Sequence, residues 1–167
     1  MNMEKVMSVS MAALMMVTLV VRPADSMEEF QYSPYAQDTA EVMKPAASIN
    51  KHEAIVLVHG GSFQYGSDTQ ANVMEIAHAA VAEGYTVVSI NYRLDSKASP
   101  MPNAIEAQVE DVQAAIRWTK ANAGMLGINP NKVAIGGLSA GAELAMTASS
   151  LGYNEHTYQT DPRNEAG

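Results

Sequence analysis

The 167-residue sequence contains no cysteine. Disulfides, thiolate metal sites, a cysteine nucleophile and a cysteine-linked lipid anchor are therefore excluded. Basic residues are scarce: ten Lys and Arg stand against eighteen Asp and Glu, for a formal net charge of −8. Nucleic-acid binding wants a basic face, and docking on anionic lipid wants a basic cluster, so neither is expected. There is no metal-ligand spacing and no internal repeat. What remains is the make-up of one ordinary globular domain, 47% apolar and ample in Leu, Ile and Val for a core.

The amino end is not domain-like. Lys5 precedes the uncharged run Val6 to Val21, and Ala24-Asp25-Ser26 follows with small residues at the two positions a signal peptidase reads. Residues 1–26 are expected to be a secretory signal peptide. The protein is then secreted or periplasmic, with no stable membrane association after cleavage. Six of the twelve methionines lie in the first sixteen residues, so the Met richness belongs to this leader. The alternative is a membrane anchor, for which the run is short and carries Ser8, Ser10 and Thr18.

Residues 27–52 read as loop, with Pro34, Pro45 and one weak strand near Thr39 to Met43. Ala54 to Val58 is a continuous apolar run, the mark of a strand buried on both faces. A helix capped by Asp68 or Thr69 follows, with the stripe Val73, Ile76, Ala77 and Ala80, ending at Gly84. Thr86 to Ile90 is the next strand. Asn103 with Glu106 resembles a capping box. It opens a helix whose apolar stripe is Ile105, Val109, Val112, Ile116 and Thr119, closed by Gly124. Asn129-Pro130 turns into the strand Lys132 to Gly136, and a helical run covers Ala142 to Ser150. Strands alternating with helices mean a three-layer α/β/α sandwich with a mostly parallel sheet and right-handed crossovers.

Gly137-Leu138-Ser139-Ala140-Gly141 lies between the last strand and the last helix. Strand, G-x-S-x-G, helix is the arrangement of a nucleophile elbow. Glycines at 137 and 141 remove side chains that would clash where the helix folds back on the strand. Ser139 Oγ is then held at the carboxyl end of the sheet, where α/β sites form. Standing alone, the motif also fits a glycine-rich turn that packs a helix on a sheet. His59-Gly60-Gly61-Ser62 directly follows the strand Ala54 to Val58. Acyl transfer builds negative charge on a carbonyl oxygen, and preorganised backbone N–H groups stabilise it. Gly60 and Gly61 are the candidate donors, with the N–H of Ala140, just after the serine, as the third. Arg93 and Asp111 are expected to form a structural ion pair, and Trp118 to pack in the core.

Taken in order, His59 to Phe63, Asn91 to Leu94, Asp111 to Trp118, Asn129-Pro130 and Gly137 to Gly141 resemble the α/β-hydrolase fold. The likeness is to its hormone-sensitive-lipase-like and carbohydrate-esterase-like branches, the acetylxylan and feruloyl esterases among them. It runs from about Glu53 to Leu151, roughly the amino-terminal half of that family's domain. Two positions depart from the family pattern. Ser62 stands where many relatives have a third glycine, and Glu143 where a small residue is frequent. The resemblance implies a carboxylic-ester hydrolase that forms an acyl-enzyme on Ser139, acts on a small-molecule ester and uses no cofactor.

The same resemblance implies an acid and then a histidine after later strands. Only His156 follows Ser139, with Asp161 behind it, the reverse of the family order. The helix after Ser139 carries the chain about 15 Å away. His156 is therefore not expected to be the base. His59 borders the site but shapes the oxyanion loop in relatives, His52 precedes its strand, and His78 is expected on a helix surface. The expectation is a hydrolase domain over 53–151, truncated after the elbow helix, with a polar tail over 152–167 and little activity of its own. The strand Lys132 to Gly136 would be an open edge prone to self-association. Two alternatives stay open: a non-catalytic or truncated protein of the same fold, and a peptidase or acyltransferase.

Overall fold

The computed structural model describes residues 27–97 and 100–151. The expected leader over 1–26, the tail over 152–167, His156 and Asp161 lie outside the described residues. The elements run β1 (Glu28–Gln31), β2 (Thr39–Met43), β3 (Ala54–Val58), α1 (Ala71–Ala82), β4 (Thr86–Ile90), α2 (Ala104–Ala121), α3 (Ala123–Leu126), β5 (Val133–Gly137) and α4 (Ala140–Ser150).

The five strands form one sheet in the order β1-β2-β4-β3-β5. β4, β3 and β5 are parallel, while β2 runs antiparallel to β4 and β1 antiparallel to β2. The alternation of side chains on each strand divides two cores. Ala40, Val42, Ala54, Val56, Val58, Val88 and Ile90 face the layer that holds α2 and α4. Met43, Leu57 and Val87 face α1, which meets them with Val73, Ala77 and Val81. The chain has the α/β-hydrolase fold in its sheet order and its two helical layers.

Several expectations need correction. Residues 27–52 hold two strands rather than a loop with one weak strand. β1 was unreadable because Glu28-Glu29-Phe30-Gln31 is mostly exposed and shows no apolar period. β2 is a core strand, with Ala40, Val42 and Met43 fully buried. Neither Asp68 nor Thr69 caps α1. Its N-cap is Gln70, in an extended conformation and without a side-chain cap bond. Ile76 is exposed, and Val81 takes an inward place instead. The contact face centres on Ala77, and at 100° per residue Ile76 stands well round the cylinder from it.

The capping box at α2 is absent. Asn103 is left-handed (φ 55°, ψ 42°) and makes no cap bond, whereas capping needs an extended residue there. Ile105, expected on the apolar stripe, is exposed. Gly124 does not close α2, which ends at Ala121 with Asn122 as its C-cap. Gly124 lies within the single turn α3, and Gly127, at φ 68°, makes the closing turn. Strand β5 is shifted by one residue, to Val133–Gly137.

Among the described residues β5 pairs on one side only, with β3. A shallow cleft of about 470 Å³ runs beside that edge, lined by Ile135, Gly136, Ala142, Ala145, Met146, Ser149 and Ser150. No helix among the described residues is long and apolar enough to cross a membrane.

Candidate active site

The strand register determines what meets at the carboxyl end of the sheet. Val58 pairs with Gly137 and with Ile90. The loops that begin at His59, Asn91 and Leu138 therefore leave the sheet side by side.

The turn after β5 is tight. Leu138 N–H donates to Val58 O at 3.1 Å, and Gly141 N–H donates to Leu138 O at 2.9 Å. Ser139 between them sits at φ 51°, ψ −122°. A non-glycine residue rarely adopts such a backbone, and it persists only where the surroundings over-determine it. The two glycines are what make room. A Cβ on Gly137 would stand 2.5 Å from the Gly141 carbonyl carbon and 2.7 Å from Val58 O. A Cβ on Gly141 would overlap the carbonyl oxygens of Val58 and His59. Ser139 itself is exposed, and its Oγ makes no hydrogen bond among the described residues.

The loop after β3 lies against this turn. A Cβ on Gly60 would stand 2.8 Å from Leu138 O and 3.3 Å from Ser139 Cβ. Gly61, at φ 133°, opens a compact turn in which Gln64 N–H and Tyr65 N–H both donate to Gly61 O, at 2.9 and 3.0 Å. Ser62 and Phe63 inside it are both left-handed, at φ 51° and 66°. The N–H groups of Gly60, Gly61 and Ala140 donate to no acceptor among the described residues. The structure thus brings together all six residues picked out from the sequence: Ser139, Gly60, Gly61, Ala140, Gly137 and Gly141.

His59 is fully buried beneath that loop. Its ring stacks on Tyr92, with centroids 4.4 Å apart and planes 16° apart. Nδ1 lies 2.7 Å from Gly60 O and so carries the proton it donates there. Burial lowers the pKa of the imidazole, which favours the neutral ring. Tyr92 OH donates in turn to His59 O at 3.1 Å, and burial pushes the phenol up to about 12. His59 is thus a wedge inside the loop. His52 precedes β3 at the opposite end of the sheet, with Nδ1 2.8 Å from Gly127 O, and His78 is on the exposed face of α1. None of the described histidines bonds to Ser139. No group of three or more His, Asp or Glu among the described residues is placed to hold a metal.

The expected Arg93–Asp111 pair is present. Arg93 Nη2 lies 2.7 Å from Asp111 Oδ1, and Nε lies 2.9 Å from Oδ2. Trp118 is half-buried and packs on Phe30, with centroids 5.4 Å apart. One residue that sequence reasoning missed is Gln108, fully buried on α2. Its signal was positional: it lies one turn before Val112, at a spacing that faces the core. A glutamine there does not read as apolar.

The BD-FAE family profile matches residues 40–165 of this chain. Gut esterase 1 of Caenorhabditis briggsae is 30% identical over 135 residues, which are 77% of this chain and 24% of that protein. Carboxylesterase NlhH of Mycobacterium tuberculosis is 35% identical over 97 residues, 58% of this chain and 28% of that protein. Among solved structures, the Est2 esterase of Thermogutta terrifontis superposes with a TM-score of 0.61 at 27% identity, covering 74% of this chain and 43% of that one. The chain therefore spans about a quarter of the length of these curated relatives and under half of that solved structure.

Proposed function

The chain belongs to the BD-FAE family, and from that membership we propose that it carries the nucleophile-bearing part of a carboxylic-ester hydrolase acting on small-molecule esters. The observation that carries this reading is the strained, exposed Ser139 set against Gly60, beside three N–H groups with no acceptor among the described residues. The left-handed backbone at Ser139 costs stability, and acyl transfer is a reaction that uses all of these features.

In the proposed mechanism Ser139 Oγ attacks the ester carbonyl carbon while a histidine base takes its proton. The carbonyl oxygen becomes an oxyanion held by the N–H groups of Gly60, Gly61 and Ala140. Each such donor is worth about 10²–10³ in rate. The intermediate collapses, the alcohol leaves with a proton from the same histidine, and water then releases the acid from the acyl-Ser139 ester. The base must come within about 2.6–3.2 Å of Ser139 Oγ, and no described histidine does so. We assign the base and its acidic partner to sequence outside the described residues. The leader over 1–26 directs export, so the site would work outside the cytoplasm.

The test compares the 167-residue chain with a fusion that adds the carboxy-terminal half of Thermogutta terrifontis esterase 2. The chain alone is expected to turn over p-nitrophenyl acetate near background and to resist stoichiometric fluorophosphonate labelling. The fusion is expected to gain both, and Ser139→Ala to abolish them. A well-folded fusion that leaves Ser139 unlabelled would favour a non-catalytic member of the fold. Robust turnover by the chain alone, lost in both Ser139→Ala and His156→Ala, would make His156 the base.

A further inference from the structure

We propose that Gln108 is the positioning residue that holds the loop Gly60 to Tyr65 in its strained form, a role that rests on the acyl-enzyme reading of Ser139. Gln108 is fully buried on α2, and its Nε2 donates at 2.8 Å to Phe63 O and at 2.8 Å to Arg93 O. Both neighbours are carbonyl oxygens, so only the NH₂ end of the amide fits there. Its Oε1 is buried with no hydrogen-bond partner among the described residues. A leucine or methionine would fill the space without burying an unpaired acceptor. Gln108 has to gain something from the two bonds it makes.

The gain lies in the backbone those bonds fix. Ser62 and Phe63 are consecutive left-handed residues without the freedom of glycine. Such a pair relaxes unless its carbonyls are held. Phe63 O is held twice, by Gln108 Nε2 and by Asp95 N–H at 3.0 Å. The second arm of Gln108 reaches Arg93 O, and Arg93 is itself bound to Asp111, three residues further along α2. One rigid helix thus grips the loop after β3 and the loop after β4 together. Gly61 O closes the same turn through Gln64 and Tyr65. Rotation about Ser62 and Phe63 would therefore swing the N–H groups of Gly60 and Gly61 away from Ser139.

The experiment replaces the two donors and keeps the volume. In the 167-residue chain, Gln108→Met is expected to speed hydrogen exchange over residues 60–65, read at the hydrogen-bonded amides of Gln64 and Tyr65, roughly tenfold, while β4 and α1 stay within about twofold of wild type. Unchanged exchange over 60–65 would overturn the proposal. Gln108→Glu gives a second readout, and carries the comparison if Gln108→Met does not fold. Above about pH 8 its carboxylate offers the two carbonyls no donor. Near pH 5 a buried carboxyl holds a proton and returns one donor. Protection of 60–65, corrected for intrinsic exchange, should recover toward low pH, and a flat profile would overturn the assignment. In the esterase fusion, Gln108→Met should lower kcat about 10–100-fold with KM within twofold. An unchanged kcat would refute the positioning role. If the fusion with Gln108 intact leaves Ser139 unlabelled, the acyl-enzyme reading falls. The exchange measurement still decides whether Gln108 holds the loop.

Discussion

Asp111 grips Arg93 by side chain and backbone at once. Its Oδ1 lies 2.7 Å from Nη2, while Oδ2 accepts Nε at 2.9 Å and the Arg93 backbone N–H at 3.0 Å. Asp111 is fully buried on α2, and the guanidinium also lies 4.1 Å over the Tyr35 ring and bonds to Ala107 O at 3.0 Å. The pair ties the loop after β4 to α2, and Tyr35 ties it onward to the β1–β2 turn. Its interest is positional, because a buried pair gains little net stability over an apolar replacement.

Removing one partner is another matter, since it strands the other charge. Asp111→Ala is expected to lose about 3 kcal/mol or more in urea unfolding. Asp111→Asn, which keeps the shape and can still accept from the backbone, should lose less. An Asp111→Ala midpoint equal to that of wild type would show that the pair anchors nothing.

The elbow glycines make the sharpest steric prediction. Gly141 faces the carbonyl oxygens of Val58 and His59 so closely that a Cβ would overlap both. Backbone cannot step aside as a flexible side chain can. Gly141→Ala should cost about 3 kcal/mol, the upper range for overpacking, and lower the yield of folded chain. Gly124→Ala is the control, because a Cβ there meets nothing within 4 Å and Gly124 lies in a helical turn. Its stability should hold or rise slightly. Equal melting temperatures for the two variants would contradict the packing described at the elbow.

Asp68 makes stability depend on pH. It is only 4% exposed, and its Oδ2 has no hydrogen-bond partner among the described residues. Burial, with the charges of Glu41 and Glu29 adding to it, raises its pKa to about 6 from an ordinary 3.8. A group raised in the folded state binds its proton more tightly there than in the unfolded chain. Its stabilising contribution is complete below pH 3.8 and is lost as pH rises through about 6. Asp68→Asn should therefore stabilise the protein by about 1–3 kcal/mol at neutral pH and change little near pH 4. Melting curves for both proteins across that interval check the sign. A variant gain that grows toward low pH would contradict it.

The sequence made legible those parts whose cause is local. Three parallel strands, the three longer helices and both loops at the carboxyl end of the sheet follow from apolar runs and glycine spacing. So does the pairing of Arg93 with Asp111, from their places after a strand and on the next helix. What was illegible depends on partners far along the chain. β1 is a strand only because β2 offers it backbone bonds, with Phe30 paired to Ala40. The left-handed Asn103 looks like a cap in sequence and is none in space. Gln108 reads as a surface glutamine until two carbonyls, 45 and 15 residues earlier, are brought onto it. In each of these cases tertiary contact overrides a local signal.

The open side of β5 gives the last prediction. Val133 to Gly137 pairs with β3 alone among the described residues. The cleft beside it is walled by Ile135 and by Met146, which is 72% exposed. An unpaired strand edge next to apolar surface is a template for another chain. Helix α4 lies on one side of that edge, but β5 carries no charged side chain: its five residues are Val, Ala, Ile, Gly and Gly. None of the usual devices that discourage pairing, a lysine, a proline or a bulge, stands within it. Light scattering at tens of micromolar should therefore find dimers or larger species for the 167-residue chain. Ala134→Lys puts a charge on an exposed position of the edge without touching the core and should shift the chain toward monomer. Met146→Glu should do the same from the helix side. A monomeric wild-type chain with a cooperative melt would rule out this use of the edge. Oligomers that both variants leave unchanged would place the contact elsewhere on the surface.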